Sequence, residues 1–383
     1  MRETFRLRCD LNSILIVGLG DIGENILEQL VRLPVVSKIY AADTSEAQFM
    51  SKVYSAVSGA IHQGYSPRVE FLELDLNDIS GTTERLTRIK PDIIVNAASL
   101  KTWWAPQASL PKDFFTQLDE AGFGPWIPFH LTLVNKLMTA VKEAKLGSHV
   151  VNCSFPDAVN AILGKLDLAP TVGVGNCDLF LPWLRKIVAD KLEVPVKEVI
   201  TYFVGHHFLC HALGAYRSAR GCPSYLKIIV GDKDVTNRFD KERLLIESNA
   251  HMPKGAKDHF IVAASAVKNV LGILLNTCEL TYAPGVEGLP GGYPTRLSCD
   301  GAKVQLPDGI SLQQAIGINE ESQRLDGIER IESDGTVVFT SKASSVMENL
   351  VGYHCKRLPP MESEQRAREL LQLLDQLTAK MQK

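Results

Sequence analysis

Ser13-Ile-Leu-Ile-Val17-Gly18-Leu19-Gly20-Asp21-Ile22-Gly23-Glu-Asn-Ile-Leu-Glu-Gln-Leu30 is the stretch that decides the fold. Its first five residues form an apolar, largely β-branched run, as expected of a strand buried on both faces. From Glu24 onward the apolar residues Ile26, Leu27 and Leu30 recur at helical spacing. Between the two lies Gly-x-Gly-x-x-Gly, which supplies what a strand-to-helix turn needs to hold a pyrophosphate. Gly18 permits the tight turn, Gly20 lets the backbone approach the phosphates, and Gly23 lets the helix pack closely on the strand. Leu19, Asp21 and Ile22 complete the loop. The phosphates then lie on a helix N-terminus, where free N–H groups and the dipole favour anions.

Working outward, Lys38-Ile-Tyr-Ala-Ala-Asp43 is a second strand that ends in an acid about 20 residues beyond the last glycine. Asp43 is placed to accept from the adenosine ribose. Its charge repels a 2′-phosphate, and Thr44-Ser-Glu-Ala supplies no arginine to offset it, so the expected cofactor is NAD. Val69 to Asp78 and Asp92 to Ser99 read as third and fourth strands. Asp75 and Leu76 stand where an adenine edge is held, with a loop or helix-capping acid as the other reading of Asp75. Asn96, Ala97 and Ala98 would run beneath the nicotinamide. Residues 100–128, rich in Trp, Phe, Pro and Gly, follow that strand and have the character of a substrate lid. Lys101, Trp103 and Trp104 are its candidate substrate contacts, unless the aromatics only pack the loop.

A chain of 383 residues is long enough for two cores. The expected class is therefore α/β: a doubly wound parallel (Rossmann) sheet over residues 1–160, a mixed α+β substrate domain over 161–358, and a C-terminal amphipathic helix over 359–383. That helix reads as core or subunit packing. A net charge of -3 with acids and bases interspersed argues against nucleic acid and for a small-molecule partner. No apolar stretch precedes the first strand and none reaches spanning length, which predicts neither secretory leader nor membrane helix. The eight cysteines are scattered without CxxC pairs, the pattern of reduced thiols in a cytoplasmic setting.

Farther on, Ser148 to Asn152 is a strand running into Cys153 to Asn160. Thr171-Val-Gly-Val-Gly175-Asn-Cys-Asp follows, then a helix from Leu181 to Leu192. Val199-Ile-Thr-Tyr-Phe-Val-Gly-His206-His207 closes the series, and a long helix begins at His259. This order resembles the lactate/malate dehydrogenase superfamily, with its NAD-using glycosidase relatives. The resemblance implies that His207 is the catalytic histidine, a general base with a pKa near neutrality. Asn152 becomes a possible orienting group, and a homodimer is the expected assembly. Phe180 falls where the family has the aspartate that orients this histidine, Trp183 where it has an arginine for the substrate carboxylate, and residues 100–128 hold no arginine at all.

His206, Cys210 and His211 crowd the same stretch. In a continuing helix His206 would share a face with Cys210, and His207 with His211. Cys177 and His207 stand near the metal-holding cysteine and histidine of the glycosidase relatives; the other reading is a polar pocket without metal. Arg217 and Arg220 offer planar donors to an anion, or are exposed loop charges. Arg296 reads as a strand decoration or a substrate contact. No Tyr-x-x-x-Lys pair accompanies the cofactor domain. The expected activity is hydride transfer between NAD and a carbon bearing a hydroxyl or ketone, or an amine or imine, on a polar, anionic small molecule. His207 is then the base and Lys101 and Arg217 the substrate clamps. The fourth strand also resembles that of saccharopine and opine dehydrogenases, which keeps the amine/imine substrate open. A metal-assisted NAD-dependent glycosidase or epimerase, and a non-catalytic NAD-binding protein, are the alternatives.

Overall fold

The structure, a computed structural model, describes residues 13–102, 109–253 and 255–381. Trp103 and Trp104 lie outside the described residues. Six parallel strands form the central sheet: β1 (Ser13–Val17), β2 (Lys38–Asp43), β3 (Val69–Glu73), β4 (Ile93–Asn96), β5 (His149–Asn152) and β6 (Val172–Gly173). Their order is β3-β2-β1-β4-β5-β6, so the direction of strand addition reverses between β1 and β4. In open sheets of this kind ligands bind outside the carboxyl ends of the strands at that reversal. Register aligns those ends, with Val17 opposite both Ala42 and Asn96, and Asn96 opposite Asn152.

Period-two alternation sends neighbouring side chains into two cores. Leu15, Val17, Ile94 and Val150 face one; Ile14, Ile16, Ile93, Val95 and Val151 face the other. The second core is closed by α1 (Asp21–Leu30) and by the helix His259–Leu274, which contributes Ala263, Ala266 and Val270. The first is closed by the helices Ile127–Glu143 and Ser363–Met381. The apolar stripe of the C-terminal helix is spent within the chain, since Ala367, Leu370 and Leu374 are buried in that core.

Beyond the sheet lie three antiparallel three-stranded sheets, carrying β7 (Val199–Val204), the pair Gly292–Ser298 and Gly301–Val304, and the strands from Ile328 to Leu358. The last strand of the parallel sheet, β6, comes after the expected domain limit at residue 160. No helix among the described residues is long and apolar enough to cross a membrane.

Candidate active site at the sheet edge

The glycine loop is built by close approach. A Cβ on Gly23 would stand 1.8 Å from the Gly18 carbonyl oxygen, and one on Gly18 would stand 2.8 Å from Ala98 N. A Cβ on Gly20, by contrast, meets nothing within 4 Å, which is the open space a pyrophosphate needs. Asp43 is pinned at the mouth of the loop: Oδ2 accepts from Leu19 N at 2.7 Å and Oδ1 from Thr44 N at 2.7 Å. Lys52, which sequence reasoning passed over, donates to Leu19 O at 2.9 Å, but Glu24 at 2.8 Å offsets its charge. Asp75 accepts from Asn77 N at 2.9 Å in a local turn, and the Leu76 side chain belongs to the core.

Asn96 is buried at the end of β4 and donates to Asn152 Oδ1 at 3.0 Å, while Asn152 donates to Asn160 Oδ1 at 2.8 Å and Ser154 O at 3.1 Å. Asn152 is thereby consumed in tying three elements together. The Asn96 Oδ1 atom is buried without a hydrogen-bond partner among the described residues, an acceptor left over at the carboxyl end of β4.

Past β7 the chain turns into the helix His207–Tyr216, with His206 as its extended cap and the His206 ring accepting from Phe208 N at 3.3 Å. His206 therefore does not share a helical face with Cys210. Burial holds its pKa down at about 4 despite Asp326 nearby. His207 and His211 do share a face, with rings 6.3 Å apart and 17° from parallel.

Two carboxylates that sequence reasoning missed hold these rings. Asp326, at the end of the helix Leu312–Leu325, meets His207 Nδ1 at 2.8 Å; Asp119, at the end of the helix Lys112–Asp119, meets His211 Nε2 at 3.0 Å and accepts from Tyr216 OH at 2.6 Å. Asp326 is fully buried, and its other oxygen accepts from Phe123 N at 2.8 Å. Gly122 makes this wrap possible, since a Cβ there would come within 2.4 Å of the Asp326 backbone. Phe123 and Phe155 flank the His207 ring at 4.8 and 5.2 Å.

Asp157, beneath the start of the helix His207–Tyr216, accepts from His207 N at 2.8 Å and from Asn176 Nδ2. Burial pushes its carboxyl up to about 7, against the pull of His207. For His207, burial lowers the pKa, but the Asp326 charge and hydrogen bond, with Asp157 and Asp119, outweigh it and raise it. Asp326 is the converse: burial raises it, and His207 and His206 bring it below the usual carboxylate value.

Of the expected clamps, Lys101 turns to Asp375 on the C-terminal helix at 3.7 Å, and Arg217 is exposed at the end of the helix His207–Tyr216. Arg220 pairs with Glu120 at 3.2 Å over the Tyr216 ring, and Arg296 donates to Cys278 O at 2.7 Å on its strand. The Cys177 thiol contacts the His206 carbonyl at 3.5 Å, and burial keeps it protonated; among the described residues no three His, Cys, Asp or Glu converge as metal ligands.

One stability prediction follows from these groups. His206 at about 4 and buried His130 at about 3 stay neutral when folded, yet charge in the unfolded chain below 6.5. Asp157 at about 7 takes one proton in the folded state over the same range, while His207 is protonated in both states. The unfolded state thus binds a net extra proton, and stability falls by about 1.4 kcal/mol per pH unit from pH 6 toward 4. Thermal melts across that range should show Tm dropping with acid; a level Tm would contradict the two buried neutral histidines.

No protein-family model and no curated protein matches the chain. Solved structures do. Lactate dehydrogenase from Eimeria maxima, solved with NADH and oxamate, aligns at TM-score 0.57 and 14% identity over 84% of this chain and 93% of its own. Malate dehydrogenase of Cryptosporidium parvum gives 0.56 and 15% over 82% and 98%. That organism's lactate dehydrogenase, solved with lactic acid and nicotinamide adenine dinucleotide, gives 0.54 and 18% over 83% and 99%. The chain has the lactate/malate dehydrogenase fold. Within this fold the positions read as orienting aspartate and substrate arginine are spent otherwise. Phe180 packs edge-on to Phe203 at 5.8 Å in an apolar core, and Trp183 stacks on His251 at 4.3 Å.

Proposed function

We propose that the protein is an NAD-dependent oxidoreductase that moves hydride between nicotinamide and a carbon bearing a hydroxyl or ketone, or an amine or imine. The observation that carries this is half-buried His207 paired with buried Asp326 at 2.8 Å, just past β7 and beside the carboxyl edge of a sheet with a glycine-rich loop. Gly18, Leu19, Gly20, Asp21, Ile22 and Gly23 would cradle the pyrophosphate, Asp43 the ribose, and Asn96, Ala97 and Ala98 the nicotinamide. When bound, the cofactor supplies the hydride chemistry.

The protein's part is the proton. Asp326 is ionised and can only accept, so neutral His207 carries its hydrogen on Nδ1 and keeps Nε2 as the basic nitrogen. During oxidation Nε2 takes the proton of the substrate hydroxyl, and during reduction the imidazolium returns it to the carbonyl oxygen. Because Asp326 raises the His207 pKa, the acid form persists toward neutrality. Reduction should be level at low pH and fall as pH rises through a value above 6.5, with oxidation rising across the same range. Steady-state rates with NADH and a ketone panel, then NAD and the matching alcohols, test this. Reduction that accelerates with pH would contradict the assignment.

A second expectation concerns cofactor choice. Asp43→Ala removes the charge that faces the ribose and should narrow the preference for NADH over NADPH at least about 10-fold, or about 1.4 kcal/mol. An unchanged ratio of dissociation constants would show that Asp43 does not select.

A further inference from the structure

Asp21 opens α1, and its carboxylate stands more than half exposed beside the glycine loop. The first amides of that helix are the donors a diphosphate would take. An acid at this position suits the helix dipole by itself, but it adds like charge beside a bound diphosphate. The other charges at the loop do not offset it: Lys52 is paired with Glu24 at 2.8 Å, and Asp43 is a second acid, bonded to Leu19 N. Among the described residues the one cationic partner within 4 Å of the Asp21 carboxylate comes from the far half of the chain, where His259 Nδ1 lies 3.7 Å from Asp21 Oδ2. His259 begins the helix His259–Leu274, and its Nε2 faces Asp258 Oδ1, also at 3.7 Å. Its side chain is only 11% exposed, and Gln29 of α1 donates to Phe260 O at 3.1 Å, so the ring is held against the loop rather than out in solvent. Gly20, the neighbour of Asp21, has open space on its Cβ side.

We propose that His259 is a cofactor-positioning residue, an imidazolium that offsets the Asp21 carboxylate and pairs with the diphosphate bound on the glycine loop. The proposal rests on the dinucleotide reading above and adds to it a contact from outside the first 160 residues. A protonated imidazole donates from both nitrogens, which matches a ring that has a carboxylate facing each of them. Without this charge a diphosphate would bind between two acids, Asp21 and Asp43, with helix amides as its only favourable partners. With it, the helix that closes the second core also closes on the cofactor, and the two halves of the chain share one ligand.

The test is calorimetric titration of the full chain with ADP-ribose, which carries the diphosphate but no nicotinamide and so leaves His207 aside, and with adenosine, which carries no phosphate. His259→Gln should weaken ADP-ribose at least about 10-fold and leave adenosine within about twofold. Asp21→Asn, at an exposed side chain, should act in the opposite direction and tighten ADP-ribose at least about threefold, a gain that damage to the loop would not produce. The second variant decides the matter if the first does not fold. Unchanged ADP-ribose affinity in His259→Gln, an equal loss for both ligands, or weaker ADP-ribose binding in Asp21→Asn would overturn the role of His259 while leaving the dinucleotide reading intact. No binding of ADP-ribose or NADH by the unaltered chain would overturn that reading and, with it, this inference.

Discussion

Asp326→Asn is expected to lower kcat/KM by about 10²–10⁴-fold while leaving NADH affinity unchanged, the size of effect seen when an orienting aspartate becomes an amide. An asparagine keeps an oxygen for Phe123 N, so the wrap of residues 122–126 around this side chain survives. What changes is the atom at His207 Nδ1, where an NH2 donor replaces an acceptor. The imidazole then moves its hydrogen to Nε2, and the nitrogen that must take the substrate's proton has no lone pair to offer. His207→Ala should cost at least ~100-fold by removing the base itself. Because the two side chains act as one unit, the double variant should be little worse than the poorer single one. The check is steady-state kinetics beside an NADH titration for all three variants. Turnover within threefold of the parent in Asp326→Asn would remove Asp326 from the chemistry.

Two glycine substitutions should separate architecture from cofactor binding. In Gly23→Ala the new Cβ would fall 1.8 Å from the Gly18 carbonyl oxygen, a backbone atom that cannot step aside without opening the loop. Overpacking of that kind costs about 1–3 kcal/mol, so both melting temperature and NADH affinity should fall, the affinity at least ~100-fold (about 2.7 kcal/mol). Gly20→Ala puts its Cβ where the protein has no atom within 4 Å. Stability should be unchanged and NADH affinity reduced at least ~10-fold, because the methyl occupies the space of the phosphates. Equal effects of the two substitutions on binding and stability would mean that the loop is only structural.

The fold was legible because its signals are local. One run from Ser13 to Leu30 carries a strand, a turn and a helix, and alternation along each strand assigns side chains to two cores. His207 and His211 were legible for the same reason, since four residues of helix suffice to align them. Asp326 was not. It meets His207 across 119 residues of chain, and at the end of its own helix an Asp-Gly pair reads as nothing more than a turn. Asp119 likewise meets His211 across 92 residues. His206 misled because the helix begins one residue later than a continuous pattern suggests, which makes it a buried cap. Lys101 and Arg217 read as clamps from their charge and their place in the chain, and neither says which way a side chain turns.

The measurement that bears most directly on the central claim is a titration of the protein with NADH, followed by nicotinamide fluorescence and repeated with NADPH. Saturable binding of NADH, tighter than that of NADPH, retained in His207→Ala and weakened in Gly20→Ala, is the predicted result. Absence of saturable NADH binding would contradict the account.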